Sequence, residues 1–157
     1  MPIKRTEAMQ PLSRQHHNGL LFCLLLKKGI AKNAAIKIIC DFSIHFWETD
    51  LQHHFQLEEI CLRNLGNTCP VLNSGIQQML TEHRLLQQYF KQMAIHVTCN
   101  DITQLSELLE KHIRFEERIL FPHIETTINS EALQRIGKVL QGEEDHNCMQ
   151  YPIRFWE

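Results

Sequence analysis

No Cys-x-x-Cys pair occurs among the six cysteines, Cys23, Cys40, Cys61, Cys69, Cys99 and Cys148. That argues against a zinc ribbon or a thioredoxin-like site. Most of these cysteines sit among apolar residues, where a free thiol behaves as a small hydrophobe. The pattern fits a reducing cytoplasm. No stripe of lysine and arginine appears, and a net charge of −2 argues against a nucleic-acid partner. The apolar run Leu20–Leu26 falls well short of the about 20 residues a bilayer span needs, so no membrane partner is expected. Met1–Met9 has no signal-peptide core. Strand-period alternation and low-complexity segments are also missing. These absences leave a cytoplasmic protein that folds as one domain over residues 1–157, long enough to bury a proper core.

What the chain has in excess is histidine, ten in all. Two of them open matching stretches: His54-Phe55-Gln56-Leu57-Glu58-Glu59 and His112-Ile113-Arg114-Phe115-Glu116-Glu117. Both read His-x-x-x-Glu-Glu. Residues four apart on an α-helix stand one above the other on the same face. Each stretch therefore presents an imidazole and a carboxylate to the same point, a donor pair suited to iron, manganese or zinc.

Periodicity and punctuation predict an all-α chain. Met1–Gln10 reads as a polar tail. A first helix is predicted over about 13–28, capped by Ser13 and stopped at Gly29. Its stripe is Leu12, His16, Leu20 and Cys23, with Arg14, Gln15 and Asn18 opposite. The second helix is predicted over about 33–65, with a bend or a start near Ala35, ending at Gly66. Its stripe is Cys40, Ser43, Trp47, Leu51, His54, Glu58, Cys61 and Leu65, at bundle spacing. Residues 67–74 read as a loop. The third helix, about 75–96, carries Ile76, Met79, His83, Leu86, Phe90 and Met93, with Asn73 or Ser74 as its cap. The fourth, capped by Asp101, carries Leu105, Leu109, His112, Glu116 and Ile119 and ends near 122–126. A short fifth helix is predicted over 130–140, stopped by Gly142. The tail 143–157 is expected to dock through Ile153–Trp156.

This order predicts an up-down-up-down four-helix bundle over about 12–126 with a short C-terminal fifth helix. In such a bundle the starts of the first and third helices meet the ends of the second and fourth. His16, His54, Glu58, His83, His112 and Glu116 then share one level, and each is on the inward stripe of its own helix. An unpaired buried carboxylate costs several kcal/mol, and a pair of cations removes that cost. His16 and His17 compete for the same role, and helix phase puts His16 nearer the core centre. His53, Glu59 and Glu117 are each one residue off a stripe and are expected to face solvent. His123 is about 10 Å from Glu116 by helix rise and is expected to be structural. His45, His96 and His146 are expected at the surface, and Trp47, Phe90 and Phe115 in the core.

From Leu12 to Glu125 the chain resembles the hemerythrin-like (HHE) domains, four-helix bundles with a non-haem di-iron centre. The likeness rests on Leu12-Ser13-Arg14-Gln15-His16-His17, His54 through Glu59, Glu82-His83-Arg84, and His112 through Pro122. It implies a ligand set of His16 or His17, His54, Glu58, His83, His112 and Glu116, holding two iron ions with an oxo or hydroxo bridge. Zinc or manganese also suits these donors. Oxygen-carrying hemerythrins have a second histidine where this chain has Gln87. They place an aspartate at the position of Glu117, whereas Glu116 is four after His112, which leaves Glu117 as a rival bridge. These departures set the chain closer to the branch that senses oxygen, nitric oxide or iron, or repairs iron centres. The repair proteins add a cysteine-containing N-terminal domain, which is not expected here.

Three functions follow. The first is a binding or sensing module for a small diatomic ligand, oxygen or nitric oxide, or for iron itself. The second is a di-iron enzyme acting on peroxide or nitric oxide or in iron-centre repair. The third is a metal-free helical interaction module. The sequence names no protein partner.

Overall fold

The computed structural model describes residues 4–157. Four long helical stretches and a shorter fifth make up the chain, with no strand among the described residues. The first bundle helix is α1 (Gln10–Ala31). The second is continuous through α2 (Ile36–Phe46), a π-helical turn (Trp47–Leu51) and α3 (Gln52–Leu62). A short α4 (Leu65–Thr68) and a 3₁₀ turn (Pro70–Leu72) lead into α5 (Asn73–Gln92), the third bundle helix. The fourth runs through α6 (Cys99–Phe115), a second π turn (Glu116–Leu120) and α7 (Phe121–Thr127). α8 (Ser130–Leu140) follows.

The bundle interior is not one continuous core. One apolar cluster gathers Phe22, Leu26, Phe42, Phe46, Phe90, Leu105 and Leu109. A second gathers Leu12, Leu62, Leu72, Ile76, Met79, Phe121 and Ile124. In every bundle helix the expected site residues fall between the residues of the two clusters. A buried polar layer of histidine and glutamate thus separates two apolar ends.

Several boundaries differ from the sequence expectation, each for a local reason. Residues 1–3 of the expected tail lie outside the described residues. Beyond them, Arg5, Thr6, Ala8 and Met9 are partly or fully buried rather than solvated. Glu7–Met9 forms a 3₁₀ turn, Met9 is fully buried, and α8 closes over it. α1 therefore starts at Gln10, and Ser13 accepts a hydrogen bond from Arg5 instead of capping the helix. Gly29 does not stop α1: Phe155 presses against the place a Cβ would fill. The turn comes at Asn33, whose φ is 55°, in the left-handed region that asparagine tolerates. Leu20 is exposed, and Asn18, expected to face outward, is buried and accepts from the Cys148 amide. Gly66 lies within α4, and most of the expected 67–74 loop is helical turn. α6 is capped by Thr98, with Asp101 three residues on completing a capping box.

The two π turns explain the remaining mismatch. A π turn holds one residue more than an α turn, so the stripe beyond it rotates. On the fourth helix the expected inward residue Ile119 is 61% exposed, while Leu120, Phe121 and Ile124 point inward. At the C-terminus Trp156 is buried and Phe155 half-buried against Phe42, whereas Ile153 stays exposed. α8 packs at one end of the bundle and Trp156 at the other, so residues 141–150 run along its length. Arg14–Asp145, His53–Glu143 and His146–Asp50 pairs fasten this strap.

Candidate metal centre

His16 on α1, His54 and Glu58 on α3, His83 on α5, His112 on α6 and Glu116 at the start of the second π turn meet in the polar layer. All six are at most 5% exposed, and both glutamates are at 0%. They form two groups of four donors: His16, His54, Glu58 and Glu116, and His83, His112, Glu58 and Glu116. Within each group the ligand atoms lie within 4.8 Å of one another. The two glutamates belong to both groups. Glu58 Oε1 is 3.2 Å from His54 Nε2 and 3.1 Å from His83 Nε2. Glu116 Oε1 is 2.9 Å from His112 Nε2 and 3.4 Å from His16 Nε2. His17, one residue round from His16, is exposed and lies outside the cluster. Glu117 also lies outside both groups.

Each imidazole presents Nε2 to the middle of the layer because Nδ1 is held from behind. The four partners form a closed circuit around the bundle. Nδ1 of His54 (α3) donates to Gln15 Oε1 on α1 at 2.7 Å, and Nδ1 of His83 (α5) to Glu59 on α3 at 3.0 Å. Nδ1 of His112 (α6) donates to Glu82 on α5 at 2.7 Å, and Nδ1 of His16 (α1) to Glu117 on the fourth helix at 2.7 Å. Such outer partners fix a histidine's tautomer and raise its basicity as a ligand. Glu59 and Glu117, expected in solvent, are half-buried and part of the site. Gln15, expected on the outward face of the first helix, also turns to the site, and Glu82 had been given no role. The available signal was adjacency: two of these residues precede a ligand histidine and two follow a shared glutamate. Each faces the neighbouring helix at a bundle corner.

Aromatic rings wall the layer above and below. Phe55 stacks on His83 with centroids 3.9 Å apart and meets His112 edge-on. Phe121 stacks on His16 at 5.5 Å, with the Arg5 guanidinium over the same ring. Arg5 itself pairs with Glu117 and Glu125. A cavity of about 290 Å³, lined by Gln15, Phe46, Leu51, His54 and strap residues, opens beside the His16–His54 side. A smaller cleft of about 150 Å³, lined by Trp47, Phe55, His83 and Gln87, lies on the other side.

The electrostatics are those of donors compressed together. Burial pushes the His16, His83 and His112 pKa values down, but the facing carboxylates outweigh it and hold all three above the usual imidazole range, His112 at about 10. Burial alone would raise Glu58. His54, His16 and His83 instead hold it well below the carboxylate range. Glu117 is pushed down to about 2: burial opposes the shift, and His16, Ser13 and Arg5 overcome it. Even so, the Nε2 atoms of His16, His54 and His112, Glu58 Oε2 and both Glu116 oxygens are buried without a hydrogen-bond partner. Each such atom costs about 1–3 kcal/mol. Cations accept from all of them at once, so the donor set fits metal.

The comparison with known families agrees: the family model described as hemerythrin HHE cation binding domain matches residues 11–124. The chain belongs to the hemerythrin HHE cation-binding family. No curated protein and no solved structure matches it. Membership carries a metal cofactor, typically iron, and the buried histidines and glutamates of this hemerythrin-type domain are the residues that could bind it. No helix among the described residues is long and apolar enough to cross a membrane.

Proposed function

We propose that this hemerythrin-type domain is a cytoplasmic di-iron protein that binds or senses a small diatomic ligand, oxygen or nitric oxide. The observation that carries the reading is the pair of donor groups sharing Glu58 and Glu116. His16 and His54 would hold one ion and His83 and His112 the other, with Glu58 and Glu116 within reach of both. Each ion would then draw on four protein donors, so an outside ligand could also be held there. A ferrous pair supplies electrons to such a ligand when bound. The chain's own part is to hold both ions at fixed separation and to exclude bulk water through Phe55 and Phe121.

Response to iron itself is a second reading, favoured by the unpartnered donors. Loading relieves buried atoms contributed by three of the four bundle helices, so iron is coupled to fold stability. The test is metal analysis of protein purified without air, followed by optical spectra on exposure to oxygen or nitric oxide. Two iron ions per chain and a new charge-transfer absorption are expected. Binding of well under one iron after loading under reducing conditions would overturn the proposal.

A further inference from the structure

The circuit of hydrogen bonds behind the histidines is not the same on its two sides. His83 and His112 are both backed by carboxylates, Glu59 and Glu82. On the other side His16 is backed by Glu117, but His54 donates to the neutral amide oxygen of Gln15. Behind this ring Glu117 pairs at 2.7 Å with Arg5, a buried side chain that it shares with Glu125. Glu59 is countered by Arg63, whose side chain is 57% exposed, so water and salt screen that charge. The other hydrogen-bond partner of Glu82 is the neutral Gln78. Two carboxylates therefore stand directly behind His83 and His112, but one carboxylate and one neutral amide behind His16 and His54.

A carboxylate behind an imidazole raises the basicity of the ligand nitrogen, and an amide does this less. We infer that the two metal positions are unequal by construction. The His83–His112 position fills first and holds its ion more tightly. The His16–His54 position fills second and releases first, and Gln15 is the positioning residue that sets the difference. The weaker position is also the one beside the cavity of about 290 Å³, which Gln15 and His54 help to line. The inference rests on the two-ion reading above and extends it: the exchangeable ion is the one held from α1 and α3.

The test uses the full chain, metal-free, titrated with Zn(II) from zero to two equivalents and read by the ring resonances of the four histidines. In wild type the His83 and His112 resonances should move over the first equivalent, and those of His16 and His54 over the second. Gln15→Glu is nearly isosteric and supplies the missing carboxylate. It should tighten the second step by about 10–100-fold, so that the pairs move together. Glu82→Gln should weaken the first step by a similar factor. If a variant fails to fold, the wild-type order alone decides the matter. The inference is overturned if His16 and His54 move first, if all four move together in wild type, or if Gln15→Glu leaves the order unchanged. Failure to bind zinc at all would overturn the two-ion reading, and this inference with it.

Discussion

Four glutamates in two adjacent pairs offer a graded test of the centre. Glu58 and Glu116 are fully buried between the two donor groups. Glu59 and Glu117 follow them by one residue, and each holds the Nδ1 of one histidine. Changing each to glutamine keeps volume and removes charge. For the inner pair the loss resembles breaking a buried ion pair, about 3–5 kcal/mol. At about 1.4 kcal/mol per factor of ten, metal affinity should fall by about two to three and a half powers of ten, and both ions should be affected. For the outer pair about 10–100-fold is expected. Glu59→Gln should fall at the low end, since that carboxylate is more exposed and shared with Arg63. Glu117→Gln should reach the high end, because it also leaves buried Arg5 with one acceptor fewer. Glu107→Gln, on the exposed face of α6, is the neutral reference. Affinities from competition with a chromophoric chelator under nitrogen give all five values. If Glu59→Gln and Glu117→Gln match Glu107→Gln, the outer partners do not support the ligands. If Glu58→Gln is no worse than Glu59→Gln, the shared carboxylates do not bridge.

Metal affinity should rise with pH well beyond the ordinary imidazole range, because His112 must shed a proton held up to about 10. Isothermal titration from pH 6 to 9.5 should show this slope with proton release on loading, and a flat profile would contradict histidine ligation. The same shift has the opposite sign for the metal-free fold. A folded-state pKa raised from 6.5 to about 10 contributes stability present below about 6.5 and lost as pH climbs through about 10. Melting of the chelated protein should therefore drop over that window. Metal at a hundred times its dissociation constant adds about 2.7 kcal/mol, or about 5–10 °C at this chain length; a melting point unmoved by chelation would refute the coupling. Finally, Leu120→Ala should cost about 2–5 kcal/mol while exposed Ile119→Ala stays within about 0.5 kcal/mol. Equal losses in urea melts would show the second π turn to be misplaced.

The inward positions of His16, His54, Glu58, His83, His112 and Glu116 were legible because helical phase and height along a bundle are both simple functions of residue number. The preference for His16 over His17 also follows from phase, since Leu12 and His16 are four apart. The outer partners were not legible in the same way. A helical wheel places Gln15, Glu59, Glu82 and Glu117 off the stripe, but a bundle corner gives such residues a neighbouring helix to face. Arg5 could not be placed, because its role depends on Glu117 and Glu125 more than a hundred residues away. Ile119 was assigned inward because a constant period of 3.6 takes no account of a π turn.

The layer of imidazoles and carboxylates interrupts the one force that needs no direction, the burial of apolar surface. Without cations, each end of the bundle melts mainly on the strength of its own cluster, tied to the other through four continuous backbones, the strap and the hydrogen bonds behind the histidines. Two ions that between them draw donors from all four bundle helices make the two ends unfold together. The steepness of the melting transition, as well as its midpoint, then records whether the centre is loaded. Amides around Leu12 and Phe121 should share their slowest exchange rate with those around Phe22 and Phe90 only when metal is bound.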